Sequence, residues 1–140
     1  MRATLSNARI WILALGLLAS AGCAARSTAP GLPRGVLEAR EGVATFYGQE
    51  FQGKTTASGD VFDPNALTMA HRSLPFGTRV RVTNTENHRS VEVTVTDRGP
   101  FVAGRIADLS LAAARQIGMV AHGVVEATLE VLRLGSGRAP

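Results

Sequence analysis

Val91-Glu92-Val93-Thr94-Val95-Thr96 places three valines on one side of an extended chain, with Glu92, Thr94 and Thr96 on the other. That alternation marks a half-buried strand. Upstream, Thr78-Arg79-Val80-Arg81-Val82-Thr83 alternates in the same way, and the turn-rich Asn84 to Arg89 between the two runs makes them a hairpin. A third run sets Val125, Ala127, Leu129 and Val131 against Glu126, Thr128 and Glu130. A fourth, rich in β-branched and aromatic residues, extends from Val43 to Tyr47 and stops at Gly48. One helix is expected, with Asp108 or Ser110 as N-cap, Leu111 to Ile117 as body and Gly118 as stop. A second short helical turn is expected over Pro64 to Ala70. Short strands and few helices predict a mainly β domain over residues 36–135, followed by a short tail at 136–140. Closure into a small barrel is the economical solution, because it removes sheet edges that so few residues cannot cover.

The 140 residues, 45% apolar and with a formal charge of +4, have room for one compact domain. Much of the apolar content lies ahead of it. Arg2 and Arg9 precede the uncharged run Ile10 to Ala21, and Ser20, Ala21 and Gly22 then lead to Cys23, the order of a bacterial export signal over residues 1–22. As a helix, Ile10 to Ala21 reaches about 18 Å against a hydrocarbon layer of roughly 30 Å, so cleavage is expected rather than a span. Small residues ahead of the only Cys resemble a lipobox, with Ser20 departing from the branched aliphatic residue usual there. Lipid attachment at Cys23 and placement at the outer membrane, facing the periplasm, are therefore expected. Residues 23–35, with Pro30, Gly31, Pro33 and Gly35, read as a flexible tether.

Without residues 1–22 the chain keeps thirteen basic and eleven acidic residues, the basic ones scattered singly. With so few aromatic residues to stack on bases as well, nucleic acid is not an expected partner. A single Cys rules out an internal disulfide, and His71, His88 and His122 have no ligand-like spacing. Neither a metal nor another cofactor is expected, and the protein is expected to be a monomer.

Four stretches carry a further signal: Ala44-Thr45-Phe46-Tyr47-Gly48, Thr56-Ala57-Ser58-Gly59-Asp60-Val61-Phe62, Ala70-His71-Arg72-Ser73-Leu74-Pro75-Phe76-Gly77-Thr78 and Thr96-Asp97-Arg98-Gly99-Pro100-Phe101. In order and spacing they resemble the rare lipoprotein A (RlpA) family, and Gly104-Arg105-Ile106 and Asp108-Leu109-Ser110 continue the match. The resemblance implies a six-stranded double-psi β-barrel with one or two short helices, shared with expansins. It also implies an endolytic peptidoglycan lytic transglycosylase that cuts MurNAc-β-1,4-GlcNAc links, with preference for peptide-poor strands, leaving 1,6-anhydroMurNAc ends. Many members of that family carry a C-terminal SPOR domain, whereas Gly135 to Pro140 follow the last expected strand here, so the resemblance is to the barrel alone.

Such chemistry needs a group to protonate the leaving oxygen, and the sugar's own 6-hydroxyl is the nucleophile, so one well-placed carboxylic acid can suffice. Asp97 is the first candidate, because it ends an alternating strand at a turn, and the family places its catalytic Asp there. An Asx-turn is the plain alternative for an Asp before a Gly-Pro corner. Arg98 beside it raises a difficulty, since a nearby guanidinium favours the ionised carboxylate, although alternation sends the two side chains to opposite faces. Asp60, where the family usually has Glu, is a candidate second carboxylate, with a simple turn role as the alternative. His71 is the third catalytic candidate, to orient the acid or bond the substrate. Tyr47, Thr56, Ser58, Arg98 and Asp108 are candidate substrate contacts, Asp108 alternatively as helix cap or ion-pair partner of Arg105. Of Phe46 and Tyr47, alternation points one outward. A non-catalytic, expansin-like wall-binding or wall-loosening lipoprotein is the competing reading.

Overall fold

The computed structural model describes residues 31–137; the expected export signal, Cys23 and the first part of the expected tether lie outside them. Six strands, β1 (Glu38–Phe46), β2 (Thr68–Ala70), β3 (Arg79–Asn84), β4 (Ser90–Asp97), β5 (Arg105–Leu109) and β6 (Val125–Arg133), close into a barrel in the ring order β1-β5-β2-β4-β3-β6. The hairpin forms as its alternation dictates, Val80 facing Val93 and Val82 facing Val91 across an antiparallel ladder. All four valines are buried, as are Val95 and, on β6, Val125, Ala127, Leu129 and Val131. Each fully buried valine adds roughly 1.5–3 kcal/mol relative to exposure, so the alternation sets the register as well as the face.

Two strands had no alternating signature. β2 is only three residues long, and β5 carries Arg105 and Asp108 within five. Both are held by ladders on two sides: β2 pairs with β4 in parallel and with β5 antiparallel, and β5 also pairs with β1 in parallel. The helical turn expected over Pro64 to Ala70 is not formed. Asp63 Oδ1 instead accepts from the Asn65 amide at 2.9 Å in a turn, and Thr68–Ala70 extend into the barrel wall, where the ladder overrides local preference. β1 begins at Glu38, five residues ahead of the expected start, because it keeps pairing with β6 through Glu38 and Val131.

The expected helix is present as α1 (Leu111–Gln116), ending where Gly118 takes a φ of +66°. Its N-cap is Ser110, whose Oγ accepts from the amides of Ala113 and Thr68, both at 3.3 Å, tying the helix to β2. Asp108 is therefore not the cap. The start of the tail is pinned too, the Gly135 amide donating to Thr78 Oγ1 at 2.9 Å and the Gly137 amide to Phe76 O at 3.1 Å.

Candidate active site

Four neighbouring strands carry one row of paired residues, Thr45 on β1, Asp108 on β5, Ala70 on β2 and Asp97 on β4. With strands about 4.8 Å apart, Asp97 and Asp108 stand roughly 10 Å apart along this row. Two clefts open beside it.

The first, about 110 Å³, is lined by Tyr47, Phe51, Lys54, Thr56, Phe62 and Asp97 among others. Asp97 Oδ1 accepts from the amides of Ala57 at 3.0 Å and Arg98 at 2.8 Å. The Asx-type bond to Arg98 is thus made, and the carboxyl is also gripped by a loop forty residues upstream. That loop is a small hairpin, with Phe62 N bonded to Lys54 O at 2.8 Å and Thr56 N to Asp60 O at 2.7 Å. Tyr47 follows β1 directly, and its side chain lines the same cleft as the Asp97 carboxyl. Burial first, then the negative charges of Asp97 and Asp108, push the phenol well above its usual range, so it remains a proton donor. Its ring packs against Phe51 and Phe62 with centroids 5.1 and 5.5 Å away. Phe46 packs against the core, so alternation divides the two aromatics as expected.

Asp60 does not line this cleft. Its Oδ2 accepts from Ser58 Oγ at 2.8 Å, and Ser58 Oγ lies 3.0 Å from Thr56 Oγ1, so the carboxylate braces the hairpin that presents the Ala57 amide. Ser58 is occupied in that brace, whereas Thr56 both joins it and lines the cleft. Arg98, expected at the substrate, turns the other way. Its Nη1 donates to His71 O and Leu74 O, its guanidinium carbon lies 3.8 Å from the Phe76 ring centroid, and Nε and Nη2 are buried. Alternation has put it on the face opposite Asp97, where it holds the chain after β2.

The second cleft, about 160 Å³, is lined by Arg40, His71, Arg72, Ser73, Gly104, Arg105 and Ile106. His71 thus reaches the same barrel rim as Asp97, its amide donating to Asp97 O at 3.1 Å, while its ring lines the other cleft. Nδ1 accepts from the amides of Ser73 at 3.2 Å and Leu74 at 3.1 Å. Burial, and then the nearby Arg40, push the imidazole down to about 4; Glu38 opposes them, and Arg98 and Arg72 add smaller downward pulls. At neutral pH the ring is uncharged, with its proton on Nε2. Asp108 is also committed: Arg105 Nη2 donates to its Oδ1 at 2.6 Å, and Thr45 Oγ1 donates to the same oxygen. Among the described residues no cluster of three or more His, Cys, Asp or Glu is arranged to hold a metal.

Phe51, Lys54 and Phe62 in the first cleft and Arg40, Arg72, Ser73, Arg105 and Ile106 in the second were not expected at the site. Phe62 and Arg105 lay within the matching stretches, whereas Phe51 and Lys54 reach the site through a loop no periodicity describes.

Residues 39–129 match the family model described as lytic transglycolase. A probable endolytic peptidoglycan transglycosylase RlpA from Nostoc sp. is 58% identical over 94 residues, covering 66% of this chain and 25% of the relative. An endolytic peptidoglycan transglycosylase RlpA from Campylobacter jejuni is 49% identical over 102 residues, covering 73% of this chain and 37% of the relative. The chain thus spans between a quarter and two fifths of these curated relatives' own length. Among solved structures, the Streptomyces papain inhibitor superposes with a TM-score of 0.56 at 24% identity, over 70% of this chain and 97% of that one. A Clavibacter michiganensis expansin superposes with a TM-score of 0.56 at 25% identity, over 71% of this chain and 53% of that one. The barrel is the double-psi fold of these neighbours.

Proposed function

The chain belongs to the lytic transglycolase family, and from that premise we propose that it is an endolytic peptidoglycan transglycosylase with Asp97 as its general acid and base. The observation that carries this reading is the Asp97 carboxyl, held at Oδ1 by two backbone amides within a cleft shared with Tyr47 and Thr56. Oδ2 is the oxygen left to exchange a proton with the glycan. In the reaction Asp97 protonates the glycosidic oxygen as the bond from muramic-acid C1 breaks. The 6-hydroxyl oxygen of the same sugar then bonds to C1, and its proton passes to the Asp97 carboxylate. No water enters the bond, and the acid is regenerated. Tyr47, protonated throughout, donates to the carboxylate while it is charged. His71 supports the site from behind, where its Nδ1 shapes the turn after β2.

Purified protein incubated with peptide-free glycan strands should release fragments ending in 1,6-anhydroMurNAc, with no new reducing ends, by mass spectrometry. Retention on insoluble peptidoglycan without any soluble product would favour the non-catalytic, expansin-like reading. We also propose export and a lipid anchor at Cys23, supported by the order of Arg2, Arg9, Ile10 to Ala21 and Cys23. Incorporation of a labelled fatty acid, lost in Cys23→Ala, is the corresponding test.

A further inference from the structure

We propose that the cleft between β1, β2 and β5 is an anion subsite in which Arg72 and Arg105, with Arg40 beside them, bind the lactyl carboxylate that muramic acid exposes once its peptide is gone. The inference rests on the transglycosylase reading of the neighbouring Asp97 cleft.

Both central guanidinium groups are fixed from behind. Arg72 donates from Nε to Pro100 O and from Nη2 to Val102 O, each at 2.6 Å, and from Nη2 to Arg105 O at 3.1 Å. Arg105 is fixed through Nη2 on Asp108. For neither residue does Nη1 take a partner among the described residues, so each has one terminal nitrogen available on a rigid support. Arg40 is paired with Glu38 and Arg105 with Asp108, whereas Arg72 makes no ion pair among the described residues. Three guanidinium groups against two carboxylates leave the cleft with one uncompensated positive charge. The neutral His71 adds no charge and, with Nδ1 occupied by two amides, keeps its Nε2–H as a donor.

Pre-positioned guanidinium groups suit a planar carboxylate, because its two oxygens accept several N–H groups without further ordering of the arginines. On the glycan backbone itself the one ionised group is the lactyl carboxylate, and it is ionised only where no peptide is attached. A stem peptide converts it to a neutral amide and adds bulk. Along the row Thr45, Asp108, Ala70, Asp97, Asp108, the ion-pair partner of Arg105 in this cleft, stands about two strand spacings, roughly 10 Å, from Asp97 of the other. Neighbouring sugars of one strand can therefore reach both.

The test compares three glycan preparations with the whole protein, in binding and in cleavage: peptide-free strands, the same strands with their carboxylates converted to methylamides, and peptide-bearing strands. Wild type should bind the free-carboxylate strands about tenfold or more tightly than the methylamides, the loss expected for a charge-assisted contact. Arg40→Gln and Arg72→Lys, the second keeping charge while losing the fork, should each narrow that ratio. A purely structural role would leave the ratio unchanged. Equal binding of free and amidated strands, or an undiminished ratio in both variants, would overturn the proposal. So would peptide-bearing strands that bind as tightly as peptide-free ones, since the cleft would then be taking peptide carboxylates. Cleavage of all three preparations with no preference would remove the subsite while leaving the transglycosylase reading intact; failure to bind or cleave any of them would remove both.

Discussion

Acidification from pH 7 to pH 5 should destabilise the barrel through His71. The imidazole is buried and accepts two amide bonds at Nδ1, and its value in the fold is about 4 against the ordinary 6.5. A proton on Nδ1 would break both bonds. Because the folded value lies below the unfolded one, the unfolded chain binds protons first. Stability from this group is complete above about pH 6.5 and falls as the pH drops toward 4. Linkage over that interval gives a loss of about 2 kcal/mol between pH 7 and pH 5. Carboxylates titrate nearby, so the His71 part is isolated by His71→Asn, whose amide oxygen offers a pH-independent acceptor near the Nδ1 position. Urea unfolding of both proteins at the two pH values should show the wild type losing about 2 kcal/mol more than the variant. The His71 ring proton, followed by NMR, should titrate near pH 4. A midpoint near 6.5, or equal losses in the two proteins, would refute the reasoning.

Tyr47→Phe removes the phenol from the cleft it shares with Asp97 while keeping the aromatic packing; kcat should fall about 10- to 100-fold with little change in Tm, measured on peptide-free strands. Ser110→Ala strips the cap of α1 and its bond to Thr68, which should cost about 1–2 kcal/mol in denaturant unfolding. Gly135→Ala would drive a Cβ to 2.1 Å from Phe76 O and 2.5 Å from the Thr78 amide, backbone atoms with no easy escape. A Tm lower by roughly 5 °C or more is expected from differential scanning calorimetry.

How far the sequence discloses this molecule depends on what each strand faces. β3, β4 and β6 are buried on one side and wet on the other, so Val80, Val93 and Leu129 announce both the strand and its register. β5 is legible only through resemblance. The Arg105–Asp108 ion pair was open to sequence reasoning as an alternative, but that the two sit on a strand, with Thr45 joining them, comes only from the fold. β2 is too short to show a period, and its identity comes from the ladders on both sides. At the site, Asp97, Tyr47 and Thr56 were readable from motif and alternation, and they meet in one cleft. Alternation also turns the Arg98 side chain out of that cleft, to Phe76. The division of labour around them was not readable. Asp60 bracing a hairpin, His71 lining a second cleft and three arginines gathered there are consequences of tertiary pairing, which local pattern does not encode.

The central claim is that the Asp97 carboxyl moves the proton in a cleavage that uses no water. Asp97→Asn keeps an oxygen for the Ala57 and Arg98 amides, so the fold and the glycan affinity should survive while the acid is lost. The decisive measurement is the rate at which this variant releases fragments ending in 1,6-anhydroMurNAc from peptide-free strands, beside wild type, with strand binding measured in parallel. The account predicts a loss of about 100- to 10,000-fold in rate with binding retained. A rate and product profile equal to wild type would contradict it.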